Sequence, residues 1–427
     1  MRGDLRGSGP LPTVTTLANG LRVATDPLDG VETASVGLWI EAGARDETPH
    51  INGASHFLEH MMFKGTPTRS AYQIVEEIET VGGHINAYTS RENTAFYAKI
   101  LAEDLPLAVD VIADIVENAT IDTGEFERER QVILQEIHQA QDTPDDIIFD
   151  HFQEAAFPDQ PLGMPVLGTT EGVTALARDA VADHKQQHYA PHRMVLAAAG
   201  AVDHDALVEM ADRLLSRPTG DAPPTRPTAS YTGGDIRIER DLEQVHVVMG
   251  LEAPGLAADD HDAAAVFATL MGGGMSSRLF QEIREERGLA YSIHAYLSAY
   301  DDTGIFTVYA GTSQSDVAEL VPVVCEEMMK STRSIPEDEI ERAKAQLRAG
   351  TLMARESTSA RCEHLARHLM TFGRPIPVEE TKARIAAVDA AAIRAVAERI
   401  VASSLTVAAT GPLANLETFE ATKARLV

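Results

Sequence analysis

Two histidines and a glutamate within one pentapeptide, His56-Phe57-Leu58-Glu59-His60, are the residues of this chain best suited to chemistry. The surrounding residues predict a helix, on which residues four apart share a face, so both imidazoles can point at one metal ion. Catalytic zinc takes three protein ligands and leaves a fourth position for water. Glu59 lies on nearly the same face, where it can act as a general base without binding the metal. An amphipathic helix with two surface histidines would produce the same pentapeptide.

A second pair of histidines, His184 and His188, has the same four-residue spacing. No carboxylate lies between them to serve as a base, so we interpret this pair as part of a solvated helix face. His188 and His192 are also four apart, but Pro191 between them would break a helix. The sequence therefore favours the first pair as the metal site.

A third ligand must come from another element, and a predicted helix over residues 125–141 offers two glutamates. Glu129 and Glu136 are seven residues apart, which places them on the same helix face two turns apart. Glu136 lies among apolar residues, a setting more apolar than a surface acid requires. Glu129 lies in the charged stretch EFERERQ, so its residue context alone is equally typical of a solvated acid on an exposed helix.

The chain divides near its middle and its two halves resemble each other. Residues 216–230 contain four prolines and almost no apolar side chains, which is typical of a linker. Residues 85–90 match 293–298 at an offset of 208, and residues 121–128 match 335–342 at an offset of 214. Two matches in the same order indicate a duplicated domain. We therefore predict domains at 1–215 and 231–427, joined by the linker.

Within each half, strand-like segments come in groups and helical segments follow in runs. This order predicts an α+β fold of two similar domains, each an antiparallel-rich sheet with helices packed on one face. Ser70 to Gln73 form a capping box that begins a helix, and Gly82-Gly83 ends it before the strand 85–90. The helices and strands that carry the candidate residues therefore belong to the first half.

The composition restricts the classes of partner and the compartment. With 36 basic and 65 acidic residues among 427, the net charge is −29, which disfavours nucleic acid and anionic membranes as partners. This charge could attract basic peptides, although an acidic, solvated surface accounts for it equally well. No apolar stretch is long enough to cross a bilayer, and the first twenty residues contain no apolar segment of a secretory signal. With only two distant cysteines, Cys325 and Cys362, we expect a cytoplasmic protein with reduced thiols.

Beyond the pentapeptide, four longer motifs carry a resemblance to a known family. The order HxxEH reverses that of the thermolysin-type motif and is the inverzincin signature. The sequence resembles the pitrilysin-type zinc peptidases, and among them the branch of the mitochondrial processing peptidase and its small bacterial relatives. The resemblance covers essentially the whole chain and rests on NGASHFLEHMMFKGT, GGHINAYTSRENTAFYAK, ERERQVILQEI and GGGMSSRLFQEIREERGLAYS.

The resemblance implies one zinc ion per chain and a role for each residue of the metal site. Members of this family complete the zinc site of the two histidines, here His56 and His60, with a glutamate about 76 residues past the second one, which is Glu136 here. Glu59 is then the general base. An auxiliary glutamate seven residues before the third ligand corresponds to Glu129, which we predict to be a second catalytic residue.

The resemblance also implies a path for a peptide substrate. In the family, an edge strand carrying Asn-Ala pairs with the extended peptide, which assigns substrate binding to Asn86 and Ala87. An arginine and a tyrosine seven apart in RxxxGLxY hold the substrate near the zinc, and here these are Arg284 and Tyr291. Their alternative interpretation is a helix-end arginine and a tyrosine that begins a strand.

The second half carries no candidate metal site. At the two offsets, the five metal and acid–base residues correspond to residues without metal-binding groups: Ala264, Phe267, Ala268, Ala343 and Gly350. This predicts one zinc site per chain and a second domain that does not bind metal.

These observations favour a zinc metalloendopeptidase that cleaves short or unfolded peptides, including basic peptides that resemble presequences. The turn Gly272-Gly273-Gly274 is shorter than the glycine-rich lid of the mitochondrial partner subunit, which favours a general peptidase. One alternative is a non-catalytic scaffold or core subunit of the same fold, but such subunits lose the metal residues. Another is a structural zinc, but two histidines and one carboxylate leave an open coordination position.

We expect a homodimer with a composite active site. Single-chain pitrilysins carry four such domains, whereas this chain has two. Two copies related by a twofold axis would restore the four.

Overall fold

The computed structural model describes residues 11–220 and 224–427. The first ten residues, and 221–223 of the predicted linker, lie outside the described residues. The described strands are β1 (Thr13–Thr16), β2 (Arg22–Pro27), β3 (Thr33–Ile40), β4 (His84–Thr89), β5 (Thr94–Leu101), β6 (Met194–Gly200), β7 (Gly234–Glu239), β8 (Val245–Ala253), β9 (Ala290–Ala299), β10 (Gly304–Thr312) and β11 (Thr406–Gly411).

Helices make up most of the remaining described structure. A π-helix occupies Phe280–Glu286, and short 3-10 turns occur between several elements. The α-helices are α1 (Ala54–Met62), α2 (Ala71–Thr80), α3 (Leu105–Asn118), α4 (Thr123–Gln141), α5 (Pro144–Ala156), α6 (Thr170–Ala175), α7 (Arg178–His188), α8 (His204–Leu214), α9 (His261–Gly272), α10 (Val317–Arg333), α11 (Glu337–Ala354), α12 (Thr358–Phe372), α13 (Val378–Ala387), α14 (Ala390–Val401) and α15 (Phe419–Ala424).

The first compact unit contains residues up to 137, 165–226 and 353–377. Its sheet has the strand order β1-β2-β6-β3-β5-β4, in which only β2 and β6 pair in parallel. One sheet face packs on α1, α3 and α8 around a core that includes Leu38 and Phe57. The other face, including Trp39 and Ala197, packs on Leu365 of α12. Because both faces are covered, β6 reads as an uninterrupted apolar segment, MVLAAAG.

The second compact unit contains residues 138–164, 227–352 and 378–427. Its sheet has the order β7-β11-β8-β10-β9, again with one parallel pair, β7 with β11. Helices α9, α10 and α14 contribute to the core on one face, and α5 covers the other face with Phe152 packed near Val248. The edge strand β9 occupies the position that β4 has in the first sheet.

The two sheets confirm the predicted α+β class and the duplication, although helices cover both faces of each sheet rather than one. Strands β2-β6-β3-β5-β4 and β7-β11-β8-β10-β9 follow the same spatial order. The capping box of α2 is present as predicted, because Ser70 Oγ accepts from the Gln73 N–H and the Gln73 side chain accepts from the Ser70 N–H.

The division into units differs from the predicted boundaries of 1–215 and 231–427 in two segments. Helix α5, from the first half of the sequence, belongs to the second unit, and the equivalent α12 belongs to the first. An amphipathic helix is stabilised by any sheet face that buries its apolar side. The sequence pattern therefore predicts each helix without predicting which sheet it covers.

The predicted glycine turn begins inside a helix, since Gly272 is the last residue of α9. A Cβ on Gly272 would lie 2.2 Å from the backbone nitrogen of Ala295 in β9. The absence of a side chain therefore lets the end of α9 approach the strand.

Replacing Gly272 with alanine is expected to destabilise the protein by about 1–3 kcal/mol, because the added methyl group forces helix and strand apart. A matched control is Gly350→Ala on α11, where a Cβ would have nothing within 4 Å. Because alanine has a higher helix propensity than glycine, this control substitution should stabilise the protein by up to about 1 kcal/mol. Urea unfolding measures both variants, and a Gly272→Ala variant as stable as the parent would contradict the close-approach explanation.

Two further observations concern the whole described chain. No helix among residues 11–220 and 224–427 is long and apolar enough to span a membrane. Cys325 and Cys362 are buried and are not joined in a disulfide, as the sequence predicts.

Candidate metal centre

Helix α1 carries the pentapeptide, and a buried carboxylate fixes its first turn. Gly53 precedes the helix with φ 94°, a left-handed conformation that favours glycine. Glu47 is 2% exposed and accepts from the backbone N–H of Gly53 at 2.8 Å and of Ser55 at 2.6 Å. These N–H groups have no partner within the helix, so the side chain of Glu47 satisfies donors that would otherwise be buried without one.

Helix α7 packs against α1 and holds it from the other side. His184 and His188 of α7 are buried, and His184 Nε2 lies 3.0 Å from Ser55 Oγ. His188 Nδ1 accepts from Arg193 at 2.8 Å. The prediction that these two histidines lie on a solvated helix face is wrong, because α7 turns its histidine side toward the α1 helix and the buried arginine.

The structure brings His56, His60 and Glu136 together. Glu136 Oε2 lies 3.6 Å from His56 Nε2 and 3.6 Å from His60 Nε2. The two imidazole rings have centroids 4.7 Å apart, which follows from their four-residue spacing on α1. One nitrogen or oxygen atom from each of the three residues lies within 4.8 Å of the others.

Glu136 reaches the two histidines from α4. Phe126, Ile133 and Ile137 of this helix are buried in the core of the first unit, which fixes the rotation of α4 about its axis. Glu136 lies beside this apolar stripe with its side chain 39% exposed. Packing of the stripe thus directs the carboxylate toward α1 while leaving it open to solvent on one side.

The three donors fit a zinc ion in chemistry, and the pKa of His56 fits it too. Burial, with a smaller contribution from His60, lowers the pKa of His56 to about 3, so its imidazole is neutral and keeps a lone pair for a metal. The buried Nδ1 of His56 has no hydrogen-bond partner, whereas its Nε2 faces Glu136. Two imidazole nitrogens and one carboxylate oxygen are a donor set that zinc accepts in catalytic sites.

Glu59 lies outside the group of three donors and is held by β4. Its Oε2 accepts from Thr89 Oγ1 at 2.6 Å. Burial raises the pKa of Glu59, while the hydrogen bond from Thr89 and the nearby His60 lower it. A carboxyl group with a raised pKa that is anchored through one oxygen is suited to accept and return a proton through the other.

Replacing Thr89 with valine is expected to lower kcat about 10–100-fold, because a hydrogen bond to a charged group is worth about 1.5–3 kcal/mol. The loss should reside in kcat, since Glu59 would keep its charge and lose its orientation. Thr89→Ser retains the hydroxyl group and should stay close to the parent. A loss in Thr89→Ser with no loss in Thr89→Val would show that the methyl group of Thr89, rather than its hydrogen bond, matters.

Glu129 contacts a histidine of the group rather than standing free beside it. Its Oε2 lies 3.0 Å from His60 Nδ1, and only 7% of its side chain is exposed. A carboxylate accepts hydrogen bonds, so Nδ1 carries the hydrogen and Nε2 keeps its lone pair toward Glu136. This contact gives Glu129 a positioning role, and the predicted catalytic role stays a prediction.

The predicted substrate residues Asn86 and Ala87 lie on β4, the edge strand of the first sheet. Strand β4 pairs with β5 on one side, with Asn86 opposite Tyr97 and Ala87 opposite Phe96. The N–H of Ala87 donates to the side chain of Asn86 at 2.9 Å. A peptide that paired with this edge would have to replace that local bond with one of its own.

The predicted residues Arg284 and Tyr291 contact each other in the second unit. Arg284 belongs to the π-helix, and its guanidinium carbon lies 4.8 Å from the ring centroid of Tyr291 and 4.7 Å from that of Phe280. Tyr291 is the second residue of β9 and is 78% exposed. Stacking against two aromatic rings restricts the guanidinium, whose Nε lies 3.8 Å from Glu285 Oε1.

Sequence reasoning missed three residues that support this site: Glu47, Lys64 and Thr89. Lys64 is four residues after His60, a spacing that could have indicated a shared partner. Glu47 and Thr89 approach α1 through the fold, and no spacing in the sequence indicates their contacts.

Comparison with known proteins agrees with the described fold. Residues 22–170 match the family described as insulinase (peptidase family M16), and residues 175–347 match the family described as peptidase M16 inactive domain. A Rickettsia bellii protein named an uncharacterized zinc protease is 40% identical over 400 residues, which cover 93% of this chain and 97% of that protein. The bovine mitochondrial-processing peptidase subunit beta is 40% identical over 425 residues, covering 96% of this chain and 86% of the subunit.

Two solved structures share the fold. A chain of complex III2 from Candida albicans superposes with a TM-score of 0.88 at 24% identity, covering 97% of this chain and 99% of that one. A protease from Helicobacter pylori gives a TM-score of 0.87 at 21% identity, covering 94% of this chain and all of that one. At such identities the likeness concerns the fold alone, whereas relatives 40% identical over nearly the whole chain establish the family. The chain therefore belongs to peptidase family M16.

Proposed function

We propose that this protein is a zinc-dependent endopeptidase. The observation that carries the proposal is the convergence of His56, His60 and Glu136, with 3.6 Å from Glu136 Oε2 to each histidine Nε2. Zinc held there supplies Lewis-acid chemistry: it polarises a carbonyl group and lowers the pKa of water. Relatives named as zinc proteases support the same assignment.

Glu59 performs the proton transfers in this proposal. Its carboxylate takes a proton from the attacking water and returns it to the nitrogen of the departing amine, which balances the hydrolysis of one peptide bond. The hydroxyl group of Thr89 keeps one carboxylate oxygen engaged, so the other is the acceptor. Glu129 holds the ring of His60 in place through its contact with Nδ1.

The proposed substrates are short or unfolded peptides. The open edge of β4 offers main-chain pairing to an extended chain, a mode of binding that tolerates many side chains. A folded protein does not present such a segment. The net charge of −29 favours basic peptides at low salt.

Incubating the purified protein with a mixed peptide library, with and without a chelator, tests this function. We expect internal cleavage that the chelator abolishes and added zinc restores, with one zinc per chain by metal analysis. Equal cleavage of acidic and basic peptides at low salt would remove only the charge preference. Full activity in protein stripped of zinc would contradict the proposal itself.

A non-catalytic scaffold is the alternative function, favoured by the likeness to a chain of complex III2. That likeness is below 25% identity and concerns the fold. The convergence of three metal-binding groups with Glu59 argues against a scaffold, because a scaffold does not need them. A protein that binds zinc but cleaves no peptide in the library would favour this alternative.

A homodimer with composite sites is a further part of the proposal. One support is that single-chain pitrilysins, which this chain resembles, carry four such domains, whereas this chain has two. The other is the contact between Arg284 and Tyr291, which would let a partner chain place both residues at the site together. Mixing Glu59→Gln chains with chains carrying Arg284→Ala and Tyr291→Ala should restore roughly one quarter of the parent sites if subunits exchange freely. No recovery in the mixture, or full activity as a monomer, would contradict the dimer.

A further inference from the structure

The carboxylate of Glu129 lies between the ring of His60 and the ammonium group of Lys64. Each carboxylate oxygen contacts one of these two groups. Oε2 lies 3.0 Å from His60 Nδ1, and Oε1 lies 2.6 Å from Lys64 Nζ. The side chain of Glu129 is 7% exposed and that of Lys64 is 28% exposed. The three side chains thus form a chain of contacts from the protein surface to the proposed metal site.

The local structure explains why these groups meet. Lys64 follows the end of α1, where the Lys64 N–H donates to the Met61 carbonyl at 3.2 Å. It therefore lies one turn beyond His60, on the same side of the chain. Glu129 is on α4, two turns before Glu136. One helix thus supplies both the proposed ligand Glu136 and the carboxylate that contacts His60.

A carboxylate as buried as that of Glu129 needs compensation. Placing an ionised carboxylate away from water is unfavourable unless a positive group and hydrogen bonds satisfy it. The ring of His60 provides one hydrogen bond, to Oε2. Lys64 is the only cation that the described residues place within 4.0 Å of Glu129. Without it, Oε1 of Glu129 would lose its partner and the carboxylate would be free to move, which would release the ring of His60.

We propose that Lys64 is a positioning residue for zinc binding, acting through Glu129 on His60. The inference rests on the proposed zinc site and adds a residue to it. Lys64 fixes the position of the Glu129 carboxylate, Glu129 contacts His60 Nδ1, and this contact orients the ring so that His60 Nε2 faces Glu136. Groups that orient a metal ligand from outside the coordination sphere change metal affinity about 10–100-fold when they are removed.

The zinc affinity of the Lys64→Met variant distinguishes this positioning role from direct repulsion between the charge of Lys64 and the zinc ion. A positive charge near a zinc site repels the ion, so its removal alone would tighten binding. The positioning role predicts the opposite sign, with zinc bound about tenfold more weakly than in the parent. Lys64→Arg retains the charge and should stay within about threefold of the parent. Lys382→Met is the matched control, because Lys382 is similarly exposed and pairs with Glu379 on α13.

The measurement is a titration of the full-length, metal-free protein with zinc in competition with a chromophoric chelator, with urea unfolding of each metal-free variant alongside. It needs no peptide cleavage. Parent protein that binds zinc, with weakening in Lys64→Met alone, supports the inference. Parent affinity in Lys64→Met would overturn it while leaving the proposed zinc site intact. Parent protein that binds no zinc would overturn both.

A double-mutant cycle tests the route through Glu129. In a Glu129→Gln background the neutral amide needs no cation, so adding Lys64→Met should change zinc affinity less than about twofold. The same tenfold loss in that background would show that Lys64 acts by another route and would overturn the inference. This comparison also covers the case in which Lys64→Met alone destabilises the fold, because the effect would then persist in both backgrounds.

Discussion

Replacing Glu59 with glutamine is expected to lower kcat about 10²–10⁴-fold while one zinc per chain is retained. A general base contributes a factor of this size, and the glutamine amide cannot accept the proton. The side chain stays nearly isosteric and can still accept from Thr89, so the surrounding structure should not change. Steady-state kinetics on a cleaved library peptide, with zinc quantified in the same sample, measures both quantities.

The control for this prediction is Glu79→Gln, which removes one negative charge from an exposed position on α2. It should leave kcat and zinc content unchanged, which separates the role of Glu59 from the net charge of the protein. Loss of zinc in Glu59→Gln would mean that the roles of Glu59 and Glu136 are assigned incorrectly.

Replacing Glu136 with glutamine is expected to weaken zinc binding by more than about 100-fold. Loss of an orienting group outside the coordination sphere costs about 10–100-fold, and Glu136 is proposed as a direct ligand. At a zinc concentration 100 times the parent Kd, zinc should stabilise the parent by about 2.7 kcal/mol and the variant by only about 0.4 kcal/mol. Unfolding with and without zinc therefore reports the change without reference to activity.

Without zinc, Glu136→Gln should unfold with nearly the parent free energy, because the side chain of Glu136 is 39% exposed and not part of the core. Glu79→Gln again serves as the control. A variant that gains as much stability from zinc as the parent does would exclude Glu136 as a ligand.

The sequence determined the parts of the site that depend on helix periodicity. His56 and His60 share a face because four residues nearly complete one turn, and Glu129 and Glu136 share a face because seven complete two turns. The structure brings three of these four together as a donor group. The duplication was also readable, because each half repeats the same order of elements and buries similar apolar segments.

The tertiary structure alone decided the contacts between elements that are distant in the sequence. There are three such contacts at the site. Glu47 accepts a hydrogen bond from the first turn of α1, Thr89 donates one to Glu59, and Lys64 forms an ion pair with Glu129. Such contacts depend on how helices rotate and approach when their apolar faces pack. That geometry produces no periodic pattern in the sequence. The prediction of a solvated His184 is wrong for the same reason, since the burial of this residue follows from the packing of α7 on α1.

The assignment of α5 to the second unit and of α12 to the first likewise could not be predicted from the sequence. Each helix buries an apolar face against a sheet, so the sequence determines that the helix forms and that it is buried. Which sheet it covers depends on the path of the chain after α4 and α11. The residue types and their spacing thus determined the chemistry that this protein carries, whereas the packing of its helices decided which side chains hold that chemistry in place.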